Sequence, residues 1–135
     1  QYYGAGVQAC YRGPRLYDTD TTRRVVNNVV NWYKKYREIL NADIVHLRRA
    51  DGRDWDGIMH VNPGKGIKAL VMVFNPLNEP ITRTIKLPLY YTGLDKAALI
   101  REKDGMARKF MLNRSYEVEL KLTLKGQGYS WWIIE

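Results

Sequence analysis

The sequence has few of the residues on which much enzyme and metal chemistry depends. It contains one cysteine, Cys10, and two histidines, His46 and His60. One cysteine cannot form a disulfide within the chain, nor supply the several thiolates of a cysteine-based zinc site. Neither histidine accompanies a serine or cysteine in a recognisable nucleophile motif, so the sequence gives no support for a catalytic triad.

Long hydrophobic runs are also absent. The longest, Ala69–Phe74, is far shorter than the about 20 residues of a membrane-spanning helix. We therefore expect no membrane contact, and no segment has the pattern of a signal peptide. The first residue is Gln1 and not methionine, which indicates a processed or shortened chain.

The charge is unbalanced, with a formal net charge of +8 at pH 7. A basic excess indicates nucleic-acid binding when the basic residues are clustered. Here they are scattered, and the densest cluster, Lys34–Arg37, is followed directly by Glu38. The pattern favours a solvated basic surface over a nucleic-acid interface, and it leaves binding to an acidic polymer as one alternative function.

One segment has the periodicity of an α-helix. It follows a Tyr/Gly-rich loop, residues 1–17, and several possible N-cap residues in Asp18–Thr22. The pattern predicts an amphipathic helix of about 20 residues that ends near Asn41 and depends on packing, because β-branched residues lower helix propensity. The apolar positions with helical spacing are Val25, Val26, Val29, Val30, Tyr33, Tyr36 and Leu40.

Beyond Asn41 the apolar residues recur with a period of two, which is typical of β-strands. Alternation is clearest from Tyr116 to Leu124, where Tyr116, the valine and the leucines are predicted to face inward. Short strands at regular spacing indicate a sandwich or an open barrel. The predicted fold is mainly β, an antiparallel β-sandwich of about eight strands preceded by one long α-helix. The predicted strands are residues 43–49, 56–61, 68–74, 81–87, 96–103, 108–112, 115–124 and 128–134.

Two neighbouring strands are predicted to form the centre of the sheet. Ala69–Phe74 is apolar throughout, which is typical of a strand covered on both faces. Ile81–Leu87 alternates and follows the turn-forming stretch Asn75–Pro80. We predict that these two strands pair as a hairpin.

The most unusual local sequence is the loop Arg48–Gly57, RRADGRDWDG. A tryptophan flanked by aspartates and arginines can hold a sugar, because the ring stacks on the sugar's C–H face and the charged groups bond its hydroxyls. The alternative is a loop cross-linked by Arg–Asp pairs, with the tryptophan folded over the sheet edge. The candidate carbohydrate-binding residues are Arg53, Asp54, Trp55, Asp56 and, from the final strand, Trp131.

Trp131 is a candidate because Trp131 and Trp132 are adjacent in a predicted strand. Successive side chains of a strand point to opposite faces, so one ring is predicted to face the core and the other to face outward. The outward ring is a candidate either for stacking on a ligand or for covering the helix.

The sequence predicts neither a metal site, nor a cofactor, nor a catalytic residue. Aspartates occur at positions 51, 54 and 56, but their spacing is not that of an EF-hand and no glutamate follows where that loop requires one. Glycoside hydrolysis needs two carboxyl groups placed across a bound sugar, and no pattern pairs the aspartates in that way.

Four segments carry a resemblance to a known enzyme family: NWYKKYR at 31–37, HLRRADGRDWD at 46–56, VFNPL at 73–77 and LPLYYTGL at 87–94. Their order resembles the C-terminal end of large bacterial glycoside hydrolases of the melibiase and α-amylase type. In those enzymes the last helix of a catalytic (β/α)8 barrel leads into an antiparallel β-sandwich.

The resemblance implies that residues 1–41 are the tail of the barrel and residues 42–135 the C-terminal sandwich. The family's catalytic carboxylates lie on earlier barrel strands, so we expect the fragment to be inactive alone, inside a parent glycoside hydrolase that is periplasmic or secreted. The chain would be a non-catalytic accessory domain that stabilises or flanks the barrel of the same parent chain.

The apolar helix face would then contact that barrel and, when uncovered, would allow self-association. Two alternatives remain: a carbohydrate-binding module that uses exposed tryptophans, and a basic domain that binds polyanions.

Overall fold

The computed structural model describes residues 1–7, 17–64 and 66–135. Cys10 and most of the Tyr/Gly-rich loop lie outside the described residues. Within the described residues, one α-helix precedes eight strands, which confirms the predicted mainly β fold. None of the helices in the described residues is long and apolar enough to cross a membrane. The elements are α1 (Asp20–Leu40), β1 (Asp43–Arg48), β2 (Asp56–Val61), β3 (Ala69–Phe74), β4 (Ile81–Pro88), β5 (Ala97–Glu102), β6 (Arg108–Met111), β7 (Glu117–Leu124) and β8 (Tyr129–Ile134), with short 3-10 turns at Tyr3–Ala5 and Tyr90–Thr92.

The strands form two antiparallel sheets that enclose an apolar core. The larger sheet has six strands in the order β1-β2-β3-β8-β5-β6, and the smaller consists of β4 and β7. The smaller sheet alternates as predicted, because inward residues of β4 and β7 are buried and the residues between them are more exposed. The core between the sheets includes Met59, Val71, Val73, Ile85, Leu87, Val118, Leu120, Leu122, Trp132 and Ile134.

The predicted hairpin of β3 and β4 is wrong. β3 pairs with β2 and β8, whereas β4 pairs with β7 over the full register from Ile81↔Leu124 to Pro88↔Glu117. The six-residue connection instead carries the chain from one sheet to the other. Asn75 anchors this crossing, since its buried amide donates to the carbonyl of Lys125 at 2.9 Å, in the connection between β7 and β8.

The second half of α1 packs on the outer face of the larger sheet. Tyr36, Ile39 and Leu40 are buried there. β3 is consequently covered on both faces, as its unbroken apolar run predicted, and its first five residues are at most 3% exposed. The molecule therefore has three layers, a helix, a six-stranded sheet and a two-stranded sheet. The sheet residues in the helix layer include Leu70, Met72, Trp131 and Ile133.

The two indoles of the final strand face opposite sides of the sheet, as predicted, and both are buried. Of the two roles predicted for the ring that faces away from the core, covering the helix is the one the structure shows. Trp131 lies beneath the helix, with its ring centroid 5.7 Å from that of Trp32 and 5.1 Å from that of Tyr36. Trp132 belongs to the core between the sheets. Both rings are buried because β8 lies near the middle of the larger sheet, where both of its faces are covered.

The first half of α1 packs against few of the residues that the structure describes. The hydroxyl of Thr19 accepts a hydrogen bond from the backbone N–H of Thr22 at 3.2 Å, so the predicted N-cap stretch does cap the helix. Before Tyr36, however, no residue of α1 is buried. Val25 is 57% exposed and Val26 is 36% exposed. The apolar stripe predicted from the sequence therefore continues beyond the surface that residues 1–7, 17–64 and 66–135 offer it.

Candidate functional site

The loop between β1 and β2 is closed by Arg48, at the end of β1. Its guanidinium forms two hydrogen bonds to the carboxylate of Asp51, at 3.2 and 2.9 Å, and a third to the carbonyl of Trp55 at 2.6 Å. Asp51 also accepts the backbone N–H of Arg53 at 2.9 Å. The Arg53 N–H and the Arg48 guanidinium together hold the pKa of Asp51 below its ordinary value.

A second pair ties this loop to the smaller sheet. Arg83 of β4 contacts the Asp54 carboxylate through Nε and Nη2, each at 3.1 Å from Oδ1. Oδ1 also accepts the backbone N–H of Trp55 at 2.9 Å. Desolvation on its own would raise the pKa of Asp54, but the bonds from Arg83 and Trp55 outweigh it and the pKa lies below its ordinary value.

The remaining loop candidates differ in exposure. Trp55 is half-buried and packs against the core between the sheets, with the guanidinium carbon of Arg48 6.0 Å from its ring centroid. Arg53 is exposed, and Asp56 is half-buried at the start of β2, where desolvation raises its pKa.

The structure thus brings four of the five sequence candidates together in one loop and places the fifth, Trp131, on the opposite face of the larger sheet. The loop that holds them is cross-linked by the Arg48–Asp51 and Arg83–Asp54 pairs, the second of which includes one of the four. Contact with carbohydrate at these residues stays a prediction.

The histidines lie apart from this loop. His46 is exposed on β1, and His60 is fully buried on β2. The Nε2–H of His60 donates to the carbonyl of Gly4 at 2.9 Å, which anchors the N-terminal turn to the sheet. Burial lowers the pKa of His60 despite that bond, so the ring is neutral near pH 7. Among the described residues no group of three or more histidine, cysteine or acidic side chains could hold a metal ion.

An exposed cluster of three tyrosines is a feature that the sequence candidates did not include. Tyr90 and Tyr91 form the 3-10 turn after β4, and Tyr116 immediately precedes β7. They are 63%, 60% and 40% exposed, respectively. The ring of Tyr90 lies edge-on to both others, with centroids 5.4 Å from Tyr91 and 5.5 Å from Tyr116. Tyr116 therefore does not face inward as predicted, because β7 begins one residue later.

A groove adjoins this tyrosine cluster. It has a volume of about 540 Å³ and reaches from Tyr91 to the start of β1 and the end of β2. Ile44, in its lining, is 45% exposed. The doublet Tyr90–Tyr91 was a sequence signal for this surface, because it lies between the predicted strands 81–87 and 96–103 and connecting segments run over the protein surface. The groove is lined by Asp43, Ile44, Val45, Val61, Pro63 and Tyr91.

Comparison with known proteins finds similarity in structure alone. No protein-family model matches the sequence, and no curated protein matches it. The crystal structure of AmyP in complex with maltose superposes on 85% of this chain with a TM-score of 0.55 and 8% identity. An AmyP variant in complex with maltotriose superposes on 87% of it with the same TM-score and 9% identity. A mutant of the trehalulose synthase MutB covers 84% at 12% identity, with a TM-score of 0.48.

These neighbours are α-amylase-family glycoside hydrolases. The present chain spans about a fifth of their length, 21% for AmyP and 18% for MutB. At such low identity the AmyP match speaks for the fold alone. The chain therefore has the fold of one segment of an α-amylase-family glycoside hydrolase, which confirms the structural side of the resemblance seen in the sequence.

Proposed function

We propose that the chain is a non-catalytic accessory domain of a carbohydrate-active enzyme, where it packs against a catalytic barrel of the same parent chain and stabilises it. The observation that carries the proposal is the exposed apolar surface of the first half of α1. We call Val25, Val26 and Val29 the valine face. Val25 is 57% and Val26 36% exposed, and Val29 is half-buried.

The composition of the first half of α1 indicates that this segment needs packing against another surface to be a stable helix. Residues 21–31 contain four valines, three asparagines and two threonines, all weaker helix formers than alanine or leucine. Short helices are marginal in water without tertiary packing. Burying one valine side chain contributes roughly 1.5 kcal/mol or more, so a covering surface would stabilise this segment substantially.

The AmyP comparison supports a larger body as that partner. The chain spans about a fifth of the AmyP chains, so an enzyme that contains this fold has a much larger remainder for the valine face to contact. That this remainder is a barrel is what the sequence resemblance implies. AmyP was crystallised with maltose and with maltotriose. Glucose oligosaccharides are therefore the first substrate class to assay for the parent enzyme.

The test compares this chain with the complete natural chain that contains it. Val25→Gln removes an exposed apolar side chain and inserts a better helix former. We expect it to leave the thermal midpoint of the 135-residue chain unchanged or slightly higher. In the parent chain it should lower the midpoint by several degrees, because a valine buried against the barrel is lost.

Asn27→Gln is the matched control, since Asn27 is exposed on the opposite side of α1 and should have no differential effect. Equal responses of the two chains to Val25→Gln would contradict the proposal. The proposal would also be contradicted if the gene that encodes this chain encodes no catalytic barrel.

A further inference from the structure

We propose that the tyrosine cluster and its adjoining groove form a binding site for a neutral hexopyranose oligosaccharide. The site consists of Tyr90, Tyr91 and Tyr116 together with the groove between Tyr91 and Asp43. It lies apart from the loop that holds Trp55. The inference rests on the proposed function, because a glycan is the ligand expected of a domain in a carbohydrate-active enzyme.

The exposure of the rings is the first argument. Tyr90 and Tyr91 each expose about three-fifths of their surface although they contact one another at 5.4 Å between centroids. Exposed aromatic groups that cluster mark binding surfaces more often than scattered ones do. Tyrosine offers an apolar ring face with a hydroxyl at its edge, which matches a sugar's C–H face and the hydroxyls around it.

The second argument is the charge of the groove. The chain carries a net charge of +8, yet no lysine or arginine is among the described residues that line this groove. Among them, the one charged residue is Asp43, an exposed carboxylate. A carboxylate accepts hydrogen bonds from hydroxyl groups and repels anions. A cation borders the groove: the Nζ of Lys68, outside the lining, donates to the carbonyl of Pro63 at 2.7 Å. The carboxylate within the lining favours a neutral polyol over a phosphate, a nucleic acid or an acidic polysaccharide.

The third argument is the backbone of Tyr116. Its φ of 58° lies in the left-handed region, which is unfavourable for a bulky side chain. Hydrogen bonds hold it there: its N–H donates to the carbonyl of Asn113 at 3.0 Å, and its carbonyl accepts the N–H of Leu89 at 2.8 Å. A bulky residue persists in this region only where the surrounding structure over-determines it, as these hydrogen bonds do. Lys103 and Gln127 share the same region of backbone conformation, so what distinguishes Tyr116 is where its ring is held and not the conformation alone. Here the conformation keeps an aromatic ring against Tyr90 at the surface.

Isothermal titration calorimetry at physiological salt tests the site with three probes: maltohexaose, cellohexaose and, as an anionic contrast, polygalacturonate. We expect saturable binding of at least one neutral oligomer. Tyr91→Ala should weaken that binding about tenfold, the scale of one aromatic contact, whereas Tyr91→Trp should preserve it. Tyr129→Ala is the matched control, because Tyr129 is 55% exposed and lies outside the cluster.

A second variant separates a binding role from a structural one. Asparagine adopts the left-handed conformation more readily than tyrosine does. Tyr116→Asn should therefore weaken oligosaccharide binding while leaving the thermal midpoint unchanged or higher. A lower midpoint with unchanged binding would mean that Tyr116 is only structural, and would overturn its place in the site.

Three results would overturn the whole inference: no binding of either neutral oligomer, binding that Tyr91→Ala leaves intact, or binding of the anionic polymer alone. If Trp55→Ala abolishes oligosaccharide binding and Tyr91→Ala leaves it unchanged, the sugar binds at the β1–β2 loop instead. None of these results bears on Val25→Gln in the parent chain, so failure of this site is distinguishable from failure of the accessory-domain proposal.

Discussion

Asp51 in the β1–β2 loop and Asp56 at the start of β2 lie five residues apart, yet their environments shift their pKa values in opposite directions. Hydrogen bonds from the Arg53 N–H and from Arg48 lower the pKa of Asp51. Desolvation raises that of Asp56, whose carboxylate is half-buried. The two neighbouring aspartates therefore contribute to stability with opposite signs, and substitution to asparagine can measure both contributions.

We expect Asp56→Asn to stabilise the protein at pH 7 by about half a kcal/mol or less, the range of ordinary surface substitutions. The raised folded-state pKa means that the ionised carboxylate is less stable in the folded protein than in the unfolded one. This cost is present at pH values above the folded-state pKa. It disappears below the ordinary aspartate pKa of about 3.9, where both states are protonated.

Asp51→Asn should destabilise the protein at pH 7, because the folded-state pKa of Asp51 is lowered. A lowered pKa contributes stability at pH values above the ordinary aspartate pKa, and this stability is lost as the pH falls through the folded-state pKa. Thermal midpoints of both variants between pH 3 and pH 7 would test the pair. Shifts of the same sign at pH 7 would contradict the assignment.

Gly126 is required by a close approach of two loops. A Cβ atom at this position would overlap the backbone carbonyl of Asn78, in the connection between β3 and β4. We expect Gly126→Ala to cost about 2–4 kcal/mol in the free energy of unfolding, because backbone and not a flexible side chain must move. Gly66→Ala is the control, since no described atom lies within 4 Å of the position that the added methyl group would take. Denaturant titration would distinguish the two, and comparable losses would show that the clash is relieved easily.

At the scale of elements, α1 has two halves of different stability. The C-terminal half buries Tyr36, Ile39 and Leu40, whereas the half before Trp32 is exposed or half-buried. We expect hydrogen exchange in the isolated chain to be fast for amides of residues 24–31 and slow for those of residues 36–40. Uniform protection along the helix would mean that the valine face is already covered, for example by a second copy of the chain.

The sequence predicted elements far better than it predicted their pairing. All eight strands were located within two residues, because alternation such as that of Val118 to Leu124 depends on local residue order. The β3–β4 hairpin failed because the partner of Ile81 is Leu124, which is distant in sequence. No local pattern distinguishes a turn within one sheet from a crossing between two sheets.

The candidate site shows the same limit. Arg48 and Asp51 are close in sequence, so their ion pair was foreseeable, whereas the contact of Asp54 with Arg83 depends on how the sheets face each other. Likewise, Tyr90 and Tyr116 meet only because β4 pairs with β7. Sites assembled from adjacent strands are visible in the sequence only after the pairing is known.

At the scale of the whole molecule, β3 and β8 join the helix layer to the core between the sheets. Leu70 faces the helix, and its neighbour Val71 faces the other core. We expect denaturant unfolding to be one transition by far-ultraviolet circular dichroism and by tryptophan fluorescence, because neither core can be lost alone. Leu70→Ala should cost about 2–5 kcal/mol and shift both probes together. Separate midpoints would show that the layers unfold independently.

The position of β8 also has a consequence for biosynthesis. This strand is the last of the eight in sequence, but it lies between β3 and β5 in the larger sheet. A ribosome therefore releases every other strand before the one that joins them. Until Tyr129–Ile134 emerges, β3 and β5 each have an unpaired edge, and the apolar surface that β8 covers is exposed. We therefore expect chains truncated near residue 128 to aggregate, since β3 and β5 would lack the strand that pairs with both.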